Sequence, residues 1–368
     1  MCKASFQCVD AKKKRLVELD IVRGLCVLIM VIEHVNLYLT SKPLLRNPLF
    51  HITQSGVGNV AVLFMFIMGM NIIFSRNNSP SAIFKRGIKI FILSYVFNFF
   101  RDFLPAFIGC HIGRSTLSSH AYNHYYETLL NVDILQFVGL AFMFIALLRS
   151  LKISHKIELF IAFAVSFMTI IIGKVATTPD LSNWAKDLII GGWRHNYFPF
   201  ISWIAFPICG AFLARRIKGM EDRDQIYRRL LRWSLLVSAV LWGLWLYYYP
   251  RLDFFGWNDD FDYYRQNTLA NVFFISQTIL LTGISYFALK DDLIPLKVNN
   301  FISFWSENIL SLYIVSWLLI SWTAWVITGF NFIVDPLVAI AASFLFVVAS
   351  HYTIKDVPAI NIFLKKWF

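Results

Sequence analysis

Apolar runs of roughly twenty residues, each closed by a cluster of polar or basic ones, recur along almost the whole chain. A hydrocarbon layer about 30 Å thick takes a helix of about 20 apolar residues. That ruler places spans near 19–40, 57–75, 87–108, 133–149, 157–174, 197–215, 231–250, 269–289, 308–328 and 332–351. The pattern predicts an all-α, polytopic integral membrane helix bundle of about ten transmembrane helices. No linker rich in charge or in Pro, Gly and Ser divides it, and no repeat of fixed period is visible. Three segments are expected: a basic N-terminal segment 1–18, a transmembrane domain 19–351 and a C-terminal tail 352–368.

Composition agrees, since 58% hydrophobic against 15% charged residues in a chain of 368 excludes a soluble globular class. The net charge of +12 raises the question of nucleic acid. There is no soluble fold to present a basic stripe, so no nucleic-acid partner is expected. Lys and Arg sort by side instead. With the N-terminus inside, 24 of the 34 fall on cytoplasmic segments, among them Lys85, Arg86, Lys89, Arg149 and the cluster from Arg215 to Arg232. Nine fall on the other side. Both termini are therefore expected in the cytoplasm, in a multi-pass protein of the cell (plasma or inner) membrane. A face this basic also attracts a phosphate-bearing ligand or anionic lipid. The five cysteines are irregularly spaced and support neither a disulfide framework nor a zinc site. The first apolar run is long, follows a basic segment and has no small-residue cleavage site, so it is read as an uncleaved span.

The costly residues lie inside the spans. In LDIVRGLCVLIMVIEH, Arg23 and His34 are eleven positions apart, which on a helix sets them about 20° apart around the axis and about 16 Å apart along it. They share one face at two depths. Asp20, one turn before Arg23, is placed to hold its guanidinium. Charged groups at such depths face a bundle interior and mark a pathway or reaction site; the plainer alternative is an interfacial ion pair and a hydrogen-bonded core histidine. The second span carries Gly56, Gly58 and Gly69, which permit close approach of a helix or of a thin ligand arm. His51 precedes that span near the level of His34. Further polar groups are Arg101 and Asp102, Asp133 and Gln136, and Glu307, Asn308, Ser311 and Ser316. Each can line a cavity, snorkel or cap a helix. His111, His120 and His124 stand among tyrosines without chelating spacing, so an interfacial aromatic belt is expected there and no metal.

LDIVRG followed by His34 resembles the first-helix signature of acyltransferase family 3. The chain also resembles the heparan-alpha-glucosaminide N-acetyltransferase family in VAVLFMFIMG (Val60 to Gly69), DILQFVGLAF (Asp133 to Phe142) and YFPFISWIAFPICGAFLAR (Tyr197 to Arg215). The ordered set covers most of the chain. The resemblance implies a polytopic enzyme that takes an acyl group, usually acetyl, from cytoplasmic acyl-CoA and places it on a sugar or other acceptor outside. By acyltransferase family 3, His34 holds the place of the catalytic histidine, with Arg23 as its partner. By the heparan-alpha-glucosaminide branch, the position of His34 is typically asparagine and the catalytic histidine falls where His51 stands. Either His34 or His51 is thus the base. NILSLYIVSW resembles a late segment often ending in histidine, where this chain has Ser316.

Acyl transfer from a thioester needs a base and a stabiliser of the developing oxyanion. The expected sites are His34 and His51 for catalysis; Arg23, Asp20, Lys85, Arg86 and Lys89 for the acetyl-CoA donor; and Arg101, Asp133 and Gln136 for the acceptor, a carbohydrate or glycolipid carrying a hydroxyl or amine. The competing class is a multi-pass transporter or lipid-linked sugar flippase, in which buried Arg and His relay protons or hold an anionic headgroup.

Overall fold

The computed structural model describes residues 17–41, 48–113, 125–172, 184–191, 197–218, 220, 222–248, 264–291, 293–329 and 332–367. Among these the fold is all-helical, and the one isolated bridge joins Thr40 to Ile333. In chain order the helices are α1 (Val17–Leu39), α2 (Pro48–Phe74), α3 (Pro80–Asn98) and α4 (Leu104–His111), with a π-helical turn at Phe99–Phe103 joining the last two. A 3-10 turn at Tyr125–Leu130 leads to α5 (Ile134–Ser150), followed by α6 (His155–Ile172), α7 (Trp184–Ile189), α8 (Phe200–Trp203), α9 (Ala205–Lys218) and α10 (Arg223–Tyr248). The rest is α11 (Thr268–Lys290), α12 (Leu296–Glu307), α13 (Ile309–Trp322) with a π-helical end at Thr323–Thr328, α14 (Pro336–Asp356) and α15 (Pro358–Trp367).

Each of the ten expected spans falls on a helix. Seven are long and apolar enough to cross a bilayer among the described residues, and Val60–Phe74 and Ile134–Ser150 are shorter apolar helices. Several helices begin earlier than hydropathy indicates, and at α3 the first turn is set by capping chemistry. At α3 the Ser79 hydroxyl accepts from the Ala82 N–H and Pro80 supplies the first helical φ. Lys85, Arg86 and Lys89 therefore lie on α3 rather than in a loop. At the C-terminal end, the expected tail is helical: α14 continues to Asp356, and on α15 Asn361 bonds Asn308 and accepts from the Ser311 hydroxyl at 2.9 Å.

α1 is the central post, touching α2, α11, α12, α13 and α14. The first of these contacts and the α2–α9 pair form the heart of the core. Gly69 and Gly210 make the α2–α9 crossing possible: a β-carbon on Gly69 would lie 1.9 Å from the Pro207 carbonyl oxygen, and one on Gly210 1.9 Å from that of Phe66. Gly69 is thus a helix-packing residue. By contrast α10 and α14 present Trp233, Leu235, Leu236, Phe344 and Leu345 outward. Exposed apolar surface on that scale belongs against lipid.

One end of the bundle is basic. Glu18, at the start of α1, accepts from the Tyr227 hydroxyl at 3.0 Å and pairs with Arg223 at 3.8 Å, and Asp224 holds Lys290 at the end of α11. Lys218 at the end of α9 donates to the Ile73 carbonyl at the end of α2. His34 and the start of α5 lie in the opposite half.

Candidate functional site

The first helix positions its two costly residues against one continuous partner, the α12–α13 line. Arg23 meets α12: its Nε and Nη2 donate to the Ser306 hydroxyl at 3.1 and 2.7 Å, and Nη2 donates to Asp20 at 2.9 Å. The Ser306 hydroxyl in turn donates to Asp20 at 3.0 Å. The i, i+3 pair is therefore a three-member knot with α12, and the desolvation cost of the guanidinium is offset locally. Gly24 beside it lets α12 in, since a β-carbon there would lie 2.3 Å from the Ile302 carbonyl oxygen.

His34, about three turns farther along, meets α13. Its ring centroid is 3.8 Å from that of Trp317 at an interplanar angle of 30°, and Tyr38, one turn on, meets the same indole edge-on at 5.0 Å. The imidazole is partly accessible, yet its Nδ1 is enclosed and has no hydrogen-bond partner among the described residues. The Trp317 Nε1–H is likewise enclosed and without an acceptor. An unpaired imidazole nitrogen and an unpaired indole N–H on two facing rings are costly, and in native proteins such groups mark a bound water, a ligand or a reaction site.

Behind the stack lies a buried ionic cluster. The π-helical turn turns Arg101 and Asp102 inward, consistent with the frequent use of such turns at functional sites. The Arg101 guanidinium stands 4.8 Å from the Trp317 ring and 5.1 Å from Phe97. It donates to Asp102 through Nε at 2.9 Å and Nη2 at 2.7 Å, and through Nη1 to Asp133. Asp133 also accepts from the Tyr313 hydroxyl at 3.0 Å, and it caps α5 by accepting from the Ile134 N–H at 2.7 Å. Gln136 closes the capping box: its Oε1 accepts from the Asp133 N–H at 3.0 Å and its Nε2 donates to the Asn131 carbonyl at 3.1 Å. Asp133 and Arg101 lie within electrostatic reach of His34.

Of the expected site residues, the fold brings His34, Arg101, Asp133 and Gln136 together, with Gln136 occupied in the cap. Arg23 and Asp20 sit on the same helix toward the basic end. Lys85 and Lys89 are exposed on α3, which packs against α5, and Arg86 is held by the Asn77 carbonyl, so the structure does not join these three to Arg23. His51 falls on the first turns of α2, with Gly56 and Gly58 on the same stretch; the His51 side chain lies outside the described residues, as do His120 and His124 altogether. His111 is described and stacks on Phe107, bonding the carbonyl of its own helix at 2.7 Å.

Trp317 and Tyr313, on a nearly uniformly apolar helix, escape sequence reading. The only signal is the likeness of NILSLYIVSW to a family segment: Ser316 itself bonds back to Tyr313 at 3.1 Å, and its neighbour Trp317 reaches the imidazole. Other enclosed polar atoms without partners among the described residues gather in the same half, on Asn36 and Thr40 of α1, Asn131, Ser202, Gln266, Thr268 and Asn271. Amides and hydroxyls left in this state suit water or the hydroxyls of a polar ligand.

A family model described as heparan-alpha-glucosaminide N-acetyltransferase, catalytic, matches residues 15–249, which include Arg23, His34, Arg101 and Asp133. No curated protein and no solved structure matches the chain. The match spans well over half of the sequence: the chain belongs to the heparan-alpha-glucosaminide N-acetyltransferase catalytic family.

Proposed function

We propose that the protein moves an acetyl or short acyl group from acyl-CoA, approaching the basic end of the bundle, to a hydroxyl or amine of a glycan-type acceptor that enters from the opposite side. The observation that carries this reading is the stacked pair of His34 and Trp317, one with an unpaired ring nitrogen and the other with an unpaired N–H.

In this mechanism His34 accepts the proton of the acceptor group as its oxygen or nitrogen attacks the thioester carbonyl carbon. The carbonyl oxygen gains negative charge, and the Trp317 Nε1–H, which has no acceptor among the described residues, donates to it. Collapse of the tetrahedral species expels the CoA thiolate, which takes the proton back from the imidazolium. The Arg101, Asp102 and Asp133 cluster acts as a positioning group: it fixes the indole by cation–π contact and gives the imidazolium a carboxylate neighbour. Arg23 with Asp20 and Ser306 holds α1 in register with α12, while Lys85, Arg86 and Lys89 add to the positive field on the donor side. The Lys and Arg content of the basic end supports a cytoplasmic position for it, in a cell membrane. The unpaired polar groups of Asn131, Ser202, Gln266 and Asn271 favour a hydroxyl-rich acceptor over an apolar one.

The test is thiol release by detergent-purified protein given acetyl-CoA with glucosamine or an oligosaccharide. Acceptor-dependent release that disappears in His34→Ala is expected. A thioester left intact under all acceptor conditions overturns the reading in favour of transport.

A further inference from the structure

Toward the basic end, α14 meets α12 through a histidine that the acyl-transfer reading does not use. The Trp305 indole, fully buried on α12, donates from Nε1 to Nδ1 of His351 on α14 at 3.2 Å. An indole N–H is a donor only, so in this contact Nδ1 is bare and the imidazole is neutral, with its proton on Nε2. A protonated ring would set two N–H donors against each other. Trp305 also directly precedes Ser306, whose hydroxyl joins Arg23 and Asp20 in the α1 knot. Through Trp305, His351 therefore braces the residue that holds the first helix.

The surroundings of the ring make both of its protonation states reachable. Phe304 and Phe301 lie 4.7 and 5.3 Å from it, centroid to centroid, the Trp305 ring is stacked at 6.2 Å, and Tyr352 meets it edge-on at 5.4 Å. Aromatic faces tolerate a cation. Among the described residues α12 meets His351 with Phe301, Phe304 and Trp305, none of which titrates, and the charged groups within reach are Lys355 and Asp356 of α14 itself. These two act in opposite senses. The imidazole is half-buried, so water can deliver the proton. A histidine that bonds only to water keeps its partners when it titrates. Here protonation takes the acceptor away from a fully buried donor, which is left unsatisfied.

We infer that His351 is a proton-sensitive latch: neutral, it holds Trp305 and thereby α12 against α14; protonated, it releases the indole and loosens α12 beneath the Arg23 knot. The contribution of the bond is present above about pH 6.5, the ordinary imidazole value, and is lost as pH falls below it. The latch stands on this geometry alone. That acidification at the basic end then slows acetyl transfer rests on the function proposed above.

The experiment uses the full chain in nanodiscs of neutral lipid. Backbone hydrogen exchange of α12, corrected for the intrinsic pH dependence of exchange, is followed by mass spectrometry from about pH 8 to about pH 5, across the ordinary histidine value. Proteins compared are wild type, His351→Asn, Trp305→Phe, and His155→Gln as an exposed histidine elsewhere at the same end. In wild type, exchange in α12 should quicken about 3- to 10-fold over that range, the equivalent of one hydrogen bond. His351→Asn, whose amide oxygen accepts without titrating, should stay protected throughout. Trp305→Phe should exchange at the faster rate at both ends of the range, and His155→Gln should follow wild type. A wild-type protein without the step, or a step of unchanged size in Trp305→Phe or in a folded His351→Asn, overturns the inference. Thiol release from acetyl-CoA is measured on the same samples: the step in a protein that never releases thiol leaves the latch standing and removes the acyltransferase reading, whereas thiol release without the step removes the latch alone.

Discussion

The imidazole of His34 lies on the indole of Trp317, centroid to centroid 3.8 Å, although the two residues are 283 positions apart in sequence. Each ring brings a nitrogen that is enclosed and unpaired among the described residues, Nδ1 of His34 and Nε1 of Trp317.

His34→Ala is expected to lower turnover by about 10²–10⁴-fold, the usual contribution of a positioned general base. Stabilisation by acetyl-CoA in a melting assay should persist, because the base does not hold the donor. His51→Ala, assayed beside it, separates the two histidines: transfer retained in His34→Ala and lost in His51→Ala would move the base to α2.

Trp317→Phe keeps an aromatic ring against His34 while removing the N–H together with the pyrrole part of the indole. If that N–H stabilises the oxyanion, kcat falls by about 10²–10³-fold with KM for the donor nearly unchanged. An equal rise in KM with kcat preserved would make Trp317 a binding surface instead. Steady-state kinetics on a variant whose melting temperature matches wild type decides between them.

Asp133→Asn removes a carboxylate that serves Arg101, Tyr313 and the α5 cap at once. Breaking a buried ion pair on one side costs about 3–5 kcal/mol. A large drop in the detergent melting temperature is therefore expected, and larger than that of Tyr313→Phe, which removes one hydrogen bond worth about 1–3 kcal/mol to a charged group. Equal melting temperatures for the two variants would show that Asp133 is not the hub of the cluster.

Gly69→Ala and Gly210→Ala each force a methyl group into a backbone carbonyl of the partner helix. The cost should reach or pass the upper end of the roughly 1–3 kcal/mol typical of overpacking, because backbone cannot step aside. Gly243→Ala, on exposed α10 with nothing within 4 Å of the new methyl, should be neutral or stabilising by up to about 1 kcal/mol. Comparable losses at all three positions, read by thermal melting, would mean that the α2–α9 crossing is looser than described.

Much of the architecture was legible because a bilayer imposes a length and a polarity on every element, and a run of apolar residues records both. Even so, α2, α3 and α10 begin before the apolar spans they carry, and at α3 the cap of Ser79 with Pro80 runs helix through polar sequence that hydropathy scores as loop. Gly69 is the reverse case: its smallness was readable, but its contact with Pro207 became visible only with α9 in place.

By itself the sequence determined the membrane class, the basic end, the Asp20–Arg23 pair and the shared face of Arg23 and His34, because these follow from local spacing and from the cost of charge in hydrocarbon. Only the tertiary structure decided that Trp317 and Tyr313 join His34, Arg101 and Asp133, and that Arg149, Arg215 and Lys218 line one cavity. Helix periodicity says which residues share a face of one helix. It carries no information on which distant helix that face will meet, and that choice is made by close packing of the whole bundle.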